Sequence, residues 1–350
     1  MKTLELSAKL FERYESTQRV HHYYGLLALF ALAQTAYEAN DKPMMEKCID
    51  MLSMYPDKIE HPRYNFDNYK VGGAGKAWLL YNGFFSEEKE LIREYAEKTI
   101  LAPKSREGIF CWPADKEKNK IWIDTVYAVT PYMLYSGLAL DEERYVDCAV
   151  EQCYHMYEFF VDKTCGLMHQ SRGFMMDRIR VSADHWSRGN GWMYLGLTEL
   201  VSALPANSEY RPKAEQYFKE LSKALLDCCE PNGVWRQELT CEYSWVESSG
   251  TALFLYGFGV GLRLGILEPE LYMEPFKKGI YTLTHDFITE DFSTLMSCQG
   301  CLCPGEGVER GSVKSYMTKV WPKTNEPHSY GAFMLALVEA QRNGIAEIDI

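Results

Sequence analysis

No stretch of the chain approaches the roughly 20 uninterrupted apolar residues that a membrane-spanning helix requires. The first ten residues lack a secretory apolar core as well, because Glu5 and Lys9 interrupt the only candidate run. Positive charge is also short: 37 Lys and Arg against 49 Asp and Glu leave a net charge of −12. Such a chain is repelled by phosphate backbones, so no nucleic-acid partner and no membrane partner are expected. The eleven cysteines are odd in number and scattered, with Cys148, Cys153 and Cys228 on apolar helix faces. That pattern excludes a disulfide framework and predicts reduced thiols in a cytoplasmic protein. The spacing Cys298-x2-Cys301-x-Cys303 has no evident fourth ligand, and no metal or cofactor is expected. Gly-x-Ser-x-Gly and His-Glu-x-x-His are absent, which removes the commonest serine-hydrolase and metalloprotease readings. No Pro-, Gly- or Ser-rich linker divides residues 1–350, so one domain is expected.

What the chain has in abundance is aromatic side chains, 14% of residues with 24 Tyr and 8 Trp, and helical periodicity. Residues 212–229 place Ala214, Tyr217, Phe218, Leu221, Ala224, Leu225 and Cys228 on one face at the 3.6-residue period. Pro212 suits the first turn of that helix and Pro205 ends the one before it. Similar amphipathic stretches lie near 43–54, 87–100, 142–160 and 269–287. They alternate with less amphipathic ones, rich in Gly, Ala and aromatics, near 22–39, 70–83, 123–139, 190–204, 248–265 and 330–342. The second kind suits helices surrounded by other helices. With residues 3–16 closing against the C-terminus, six inner and six outer helices predict an all-α toroid, an (α/α)6 barrel. Short stretches near 107–113 and 165–175 read as loop hairpins.

The unusual residues cluster just before the inner helices: His21–Tyr24, Asp67, Trp122-Ile123-Asp124, His185–Trp192, Trp245-Val246-Glu247 and Pro327-His328. Loops borne on a rigid ring are where binding residues gather. Asp124 is either a carboxylate complementing a helix dipole or a general acid/base whose pKa burial must raise. Asp67 reads as a turn or capping aspartate, or as a second carboxylate. Arg188 offers a planar fork for a carboxylate, or a cation–π stack on a neighbouring Trp. Gly189-Asn190-Gly191 lets backbone approach a ligand and can cap the following helix. His169 taken alone is most simply a structural histidine. The Gly72–Gly75 cluster is not a phosphate loop, and its expected use is close packing of an inner helix.

Trp186-Ser187-Arg188-Gly189-Asn190-Gly191-Trp192 resembles the W-x-R-G-N-G-W motif of the unsaturated uronyl hydrolases of glycoside hydrolase families 88 and 105. Trp122–Tyr127, Glu247–Ala252 and Pro327–Phe333 are similar to further segments of those families, so the resemblance runs from about residue 20 to 342. It implies an (α/α)6 barrel acting on oligosaccharides that end in a uronic acid, by hydration of a 4,5-unsaturated ring. It implies Asp124 as general acid/base, Asp67 as its partner carboxylate and His169 as a substrate contact. Trp186, Arg188 and Trp192 would form the sugar subsite, with His185, Asn190, Glu247 and His328 as further candidate binding residues. Two features depart from the family pattern, the expanded glycine stretch after Asp67 and the Cys-rich loop at 298–303. Three alternatives stand beside this reading: a β-glucuronidase-like enzyme for saturated uronides, a sugar 2-epimerase using cavity histidines, and a non-catalytic sugar-binding toroid.

Overall fold

The computed structural model describes residues 1–57 and 66–349. Six helices form its inner ring: α2 (Tyr23–Ala39), α5 (Gly73–Tyr81), α7 (Thr125–Leu140), α9 (Ser187–Ala203), α11 (Ser248–Arg263) and α14 (Pro327–Arg342). Each packs against the next in that order, and α14 packs back on α2 to close the ring. Nearly every side chain in these helices is buried, as their all-round apolar composition requires. The outer layer is α3 (Lys42–Ser53), α6 (Lys89–Ile100), α8 (Glu143–Phe160), α10 (Arg211–Asp227), α12 (Pro269–Asp286) and α1 (Thr3–Thr17). These bury one stripe each; α10 buries Ala214, Phe218, Leu221, Ala224 and Leu225. The chain is an (α/α)6 barrel.

Closure depends on α1, which packs on α14 and α2 and buries Leu6, Leu10, Phe11 and Tyr14, the last edge-on against Tyr330 of α14. Thr3 N donates to Ala346 O at 3.0 Å, and Lys2 bridges to Glu347. Small residues set the ring spacing. A Cβ on Gly75 would stand 3.2 Å from the Phe30 backbone N, and one on Gly331 would stand 2.7 Å from the Leu27 carbonyl carbon. The glycine stretch therefore packs α5 against α2, as expected from the sequence.

Strand structure among the described residues is confined to two-residue pairs that stitch loops together. β1 (Ile121–Trp122) pairs antiparallel with β2 (Ser171–Arg172), and β3 (Trp235–Arg236) with β4 (Val246–Glu247). β5 (Ser297–Cys298) pairs with β6 (Pro322–Lys323). The expected hairpin near 107–113 is a tight turn bridging Lys104 to Phe110, and that near 165–175 is split between a bridge from Val161 to Met168 and β2. Two helices carry no signal in the periodicity, the four-residue α4 (Asp67–Lys70) and the seven-residue α13 (Val313–Lys319). Both are too short to show a period. No described helix is long and apolar enough to cross a membrane, and the eleven cysteines are free thiols.

Candidate active site

A cavity of about 300 Å³ opens where the inner helices begin. Its walls come from sequence-distant segments: Tyr23 and Tyr24 at the start of α2, Phe66 and Tyr69 around α4, and Trp122, Asp124 and Tyr127 at the start of α7. Trp186, Arg188 and Trp192 come from α9, His328 from α14, and Trp112 and Gly300–Leu302 from loops. Helix N-termini carry partial positive charge, so this end of the ring favours an anionic ligand. The remaining surface is aromatic, which suits the apolar faces of a sugar ring.

Asp124 is the carboxylate in this wall. It stands at the start of α7 with φ −58° and ψ −23°, and its side chain makes no capping hydrogen bond. It does not cap the helix, although its position at the helix start is the one a dipole-complementing carboxylate would take. Its Oδ2 is buried and accepts no hydrogen bond among the described residues. Burial raises its pKa to about 7, against the lowering pull of the Arg188 charge, and the Asp184 carboxylate adds to the rise. The Trp192 indole N–H lies near enough to lower that pKa but does not reach hydrogen-bond geometry with any described residue. The Tyr127 hydroxyl is likewise buried without a partner, under a stacked contact of 5.0 Å between its ring and that of Trp192. Three buried polar atoms without partners thus belong to residues of one aromatic cavity.

Of the two sequence readings of Arg188, the cation–π stack is present. Its guanidinium carbon lies 5.0 Å from the Trp186 ring centroid. It also donates to Ser249 Oγ at 3.1 Å, to the Cys298 carbonyl and to Gln299 O at 2.9 Å, and lies 3.5 Å from Glu326. The Cys-rich loop is thereby fastened to α9, and Gly300, Cys301 and Leu302 are presented to the cavity. Glu326 also accepts from His328 Nδ1 at 2.8 Å. Burial lowers the His328 pKa, keeping the ring neutral with Nε2 as an acceptor.

The other residues singled out in the sequence lie elsewhere. Asp67 is not in the cavity wall, although Phe66 and Tyr69 on either side of it are. Its carboxylate pairs with Lys70 at 2.6 Å, and its charge is felt by Lys98 on the outer helix α6. The expected pairing of Asp67 with Asp124 is therefore not seen among the described residues; the Asp184 carboxylate is the one that raises the Asp124 pKa further. Asp184 is fully buried, with Oδ2 accepting from Trp186 N at 3.1 Å, and burial raises its pKa to about 6. Sequence reasoning missed it, although it directly precedes His185.

Asn190 grips the loop before α9: Oδ1 accepts from Met168 N at 2.7 Å and Nδ2 donates to Met168 O at 3.1 Å. Its flanking glycines lie inside the helix and serve packing, since a Cβ on Gly191 would stand 2.6 Å from Leu253 Cδ1. Glu247 caps α11, accepting from Ser249 N at 2.9 Å and Gly250 N at 2.6 Å, and also from Cys298 N at 2.9 Å. His169 and His185 are outside the cavity wall and face each other, ring centroids 4.9 Å apart.

Residues 6–343 match the model of Glycosyl Hydrolase Family 88. The chain belongs to that family. It is 24% identical over 166 residues to an unsaturated 3S-rhamnoglycuronyl hydrolase of Formosa agariphila, a match covering 45% of this chain and 44% of that protein. An enzyme of the same description from an Alteromonas species is 20% identical over 285 residues, covering 77% of this chain and 68% of the relative. A family 105 glycoside hydrolase of C. acetobutylicum superposes with a TM-score of 0.83 at 21% identity, over 97% of this chain and 99% of that one. The glycoside hydrolase assignment thus agrees with the expectation from the Trp186–Trp192 motif.

Proposed function

We propose that this family member hydrates a 4,5-unsaturated uronyl residue at the end of an oligosaccharide and so releases the adjacent sugar. The observation that carries the proposal is Asp124: one carboxyl, near half-protonation at neutral pH, in an aromatic cavity that holds no second carboxylate among the described residues. An ordinary glycosidase needs two carboxylates flanking the bond. An enol ether is already activated and needs a single group that gives a proton and then takes one.

The sugar stacks on the tryptophan wall, and its carboxylate lies toward the Arg188 charge and the helix N-termini. Protonated Asp124 delivers its proton to C4, and positive charge develops between C5 and the ring oxygen. The ionised Asp124 then accepts a proton from the water that adds at C5. The resulting hemiketal opens to a C5 ketone, leaving a hemiacetal at C1 whose collapse to an aldehyde expels the neighbouring sugar. Neutral His328 accepts a hydrogen bond from a sugar hydroxyl through Nε2.

The saturated-uronide alternative would need a second carboxylate, and among the described residues the cavity wall holds only Asp124. The epimerase alternative would need a histidine pair, and among the described residues His328 is the histidine in the wall. The deciding experiment follows the ultraviolet absorbance of the unsaturated ring in a panel of lyase-generated disaccharides. Absorbance should decay with the native chain and persist with Asp124→Asn, while the variant still binds the sugar. Inactivity on the whole panel together with release of glucuronic acid from a saturated aryl glucuronide would overturn it.

A further inference from the structure

Between α8 and α9, three side chains with metal-binding atoms converge outside the cavity, and a fourth stands beside them. Asp162 Oδ2 lies 3.2 Å from His185 Nε2 and 4.0 Å from His169 Nε2. The three ligand atoms all fall within 4.8 Å of one another. Cys165 Sγ lies 3.6 Å from the same His185 Nε2.

The hydrogen bonds around this cluster fix where the lone pairs point. His169 Nδ1 faces the Asp184 carbonyl at 3.1 Å, and a carbonyl only accepts. Nδ1 therefore carries the proton, and Nε2 offers a bare lone pair. His185 Nδ1 faces Thr240 Oγ1 at 3.4 Å, whose own hydrogen is given to Glu238 at 2.9 Å. Nδ1 is again the donor, and a neutral His185 presents a lone pair to Asp162. The other carboxylate oxygen, Asp162 Oδ1, accepts from Thr164 N at 2.8 Å and from Thr164 Oγ1 at 2.7 Å, leaving Oδ2 for the histidines. These acceptors need a hydrogen or a cation among them, supplied by the Cys165 thiol, by a proton on His185 or by a metal ion. Histidines fixed through Nδ1 by a carbonyl or a carboxylate-backed hydroxyl, with Nε2 projecting, are the arrangement in which imidazole binds metal.

We propose that Asp162 Oδ2, Cys165 Sγ, His169 Nε2 and His185 Nε2 form a site for one divalent transition-metal ion of the zinc type. Zinc bonds of roughly 2.0–2.3 Å to N, O and S give tetrahedral edges of roughly 3.3–3.6 Å. The Asp162–His185 and Cys165–His185 separations are within about 0.1 Å of that length, the 4.0 Å edge must close by about half an ångström, and Cys165 must swing in, because its sulfur stands outside the group whose ligand atoms lie within 4.8 Å of one another. A carboxylate, two imidazoles and a thiolate favour zinc over magnesium or calcium. The ion ties the 162–169 loop to His185, the residue before the Trp186 wall, and so clamps that wall from behind. The proposal does not depend on the reaction assigned to the cavity.

The test strips the full-length protein with a chelator and titrates it with Zn²⁺ and with Co²⁺. One equivalent should bind, cobalt should show intense tetrahedral d–d bands with a thiolate charge-transfer band, and zinc should raise Tm. Cys165 is exposed, so Cys165→Ser should fold normally, lose the charge-transfer band and bind at least ~10-fold more weakly. Asp162→Asn should weaken binding similarly, whereas Cys301→Ser should leave it unchanged. Absence of stoichiometric binding, or binding lost in Cys301→Ser and kept in Cys165→Ser, overturns the proposal; the Cys165 thiol or a proton on His185 then balances the cluster.

Discussion

A carboxyl that titrates near neutrality leaves opposite marks on activity and on stability. Asp124 must be protonated to act as an acid, so kcat/KM should be level below its pKa of about 7 and fall tenfold per unit above it. Asp124→Asn should lower kcat by about 10³-fold or more, measured by the absorbance assay. Stability moves the other way. The folded pKa lies above the ordinary 3.8, so the folded state binds the proton more tightly and loses stability as pH rises from about 4 to about 7. Asn carries no such cost. Thermal melts should show Asp124→Asn more stable than the native chain by about 1–3 kcal/mol near pH 8 and no different below about pH 4. At this scale the motif residues were legible but their duties were not. Trp186, Arg188, Trp192, Asp124 and His328 all reach the cavity. Asn190 and Glu247 lie in the same kind of segment, yet their polar atoms are spent on backbone. Spacing gives no sign of which way a side chain is drawn, and Asp184 shows its importance only once burial is known.

Between residues and ring, the loops are held by a few buried carboxylates. Glu247 both caps α11 and fixes Cys298. Glu247→Ala should cost about 2–4 kcal/mol by loss of the cap and stranding of buried donors, read by denaturant unfolding. It should also raise KM, because the 298–303 loop loses an anchor. Gly331→Ala tests the ring itself: the new Cβ meets backbone of α2, so inner helices must part, at about 1–3 kcal/mol. Helices were the most readable elements. Their long 3.6-residue pattern and the Pro212 start survive folding unchanged, and most predicted bounds fall within two residues of the observed ones. α4 and α13 escaped notice because four and seven residues contain too little repeat, and the stitching strands because two residues contain none.

For the molecule as a whole, ring closure is cooperative. Deleting residues 1–17 removes four buried anchors, Leu6, Leu10, Phe11 and Tyr14, each worth about 1.5–3 kcal/mol. The sum rivals the 5–15 kcal/mol by which whole domains are stable, so the truncated chain should lose its cooperative thermal transition. The net charge of −12 opposes an anionic oligosaccharide at long range, whereas the helix N-termini attract it at the mouth. Added salt screens the first more than the second, so kcat/KM should rise with moderate ionic strength. The cavity is assembled from panels that never adjoin in sequence, each tethered separately: the Trp186 panel by Asp184 and Asn190, the Cys301 panel by Glu247 and Arg188, and the His328 panel by Glu326. One panel can therefore be exchanged while its neighbours and the ring stay put. Exchanging the Gly300–Leu302 segment, which enters the wall from far along the chain, should redirect which sugar is accepted while Asp124 keeps its chemistry.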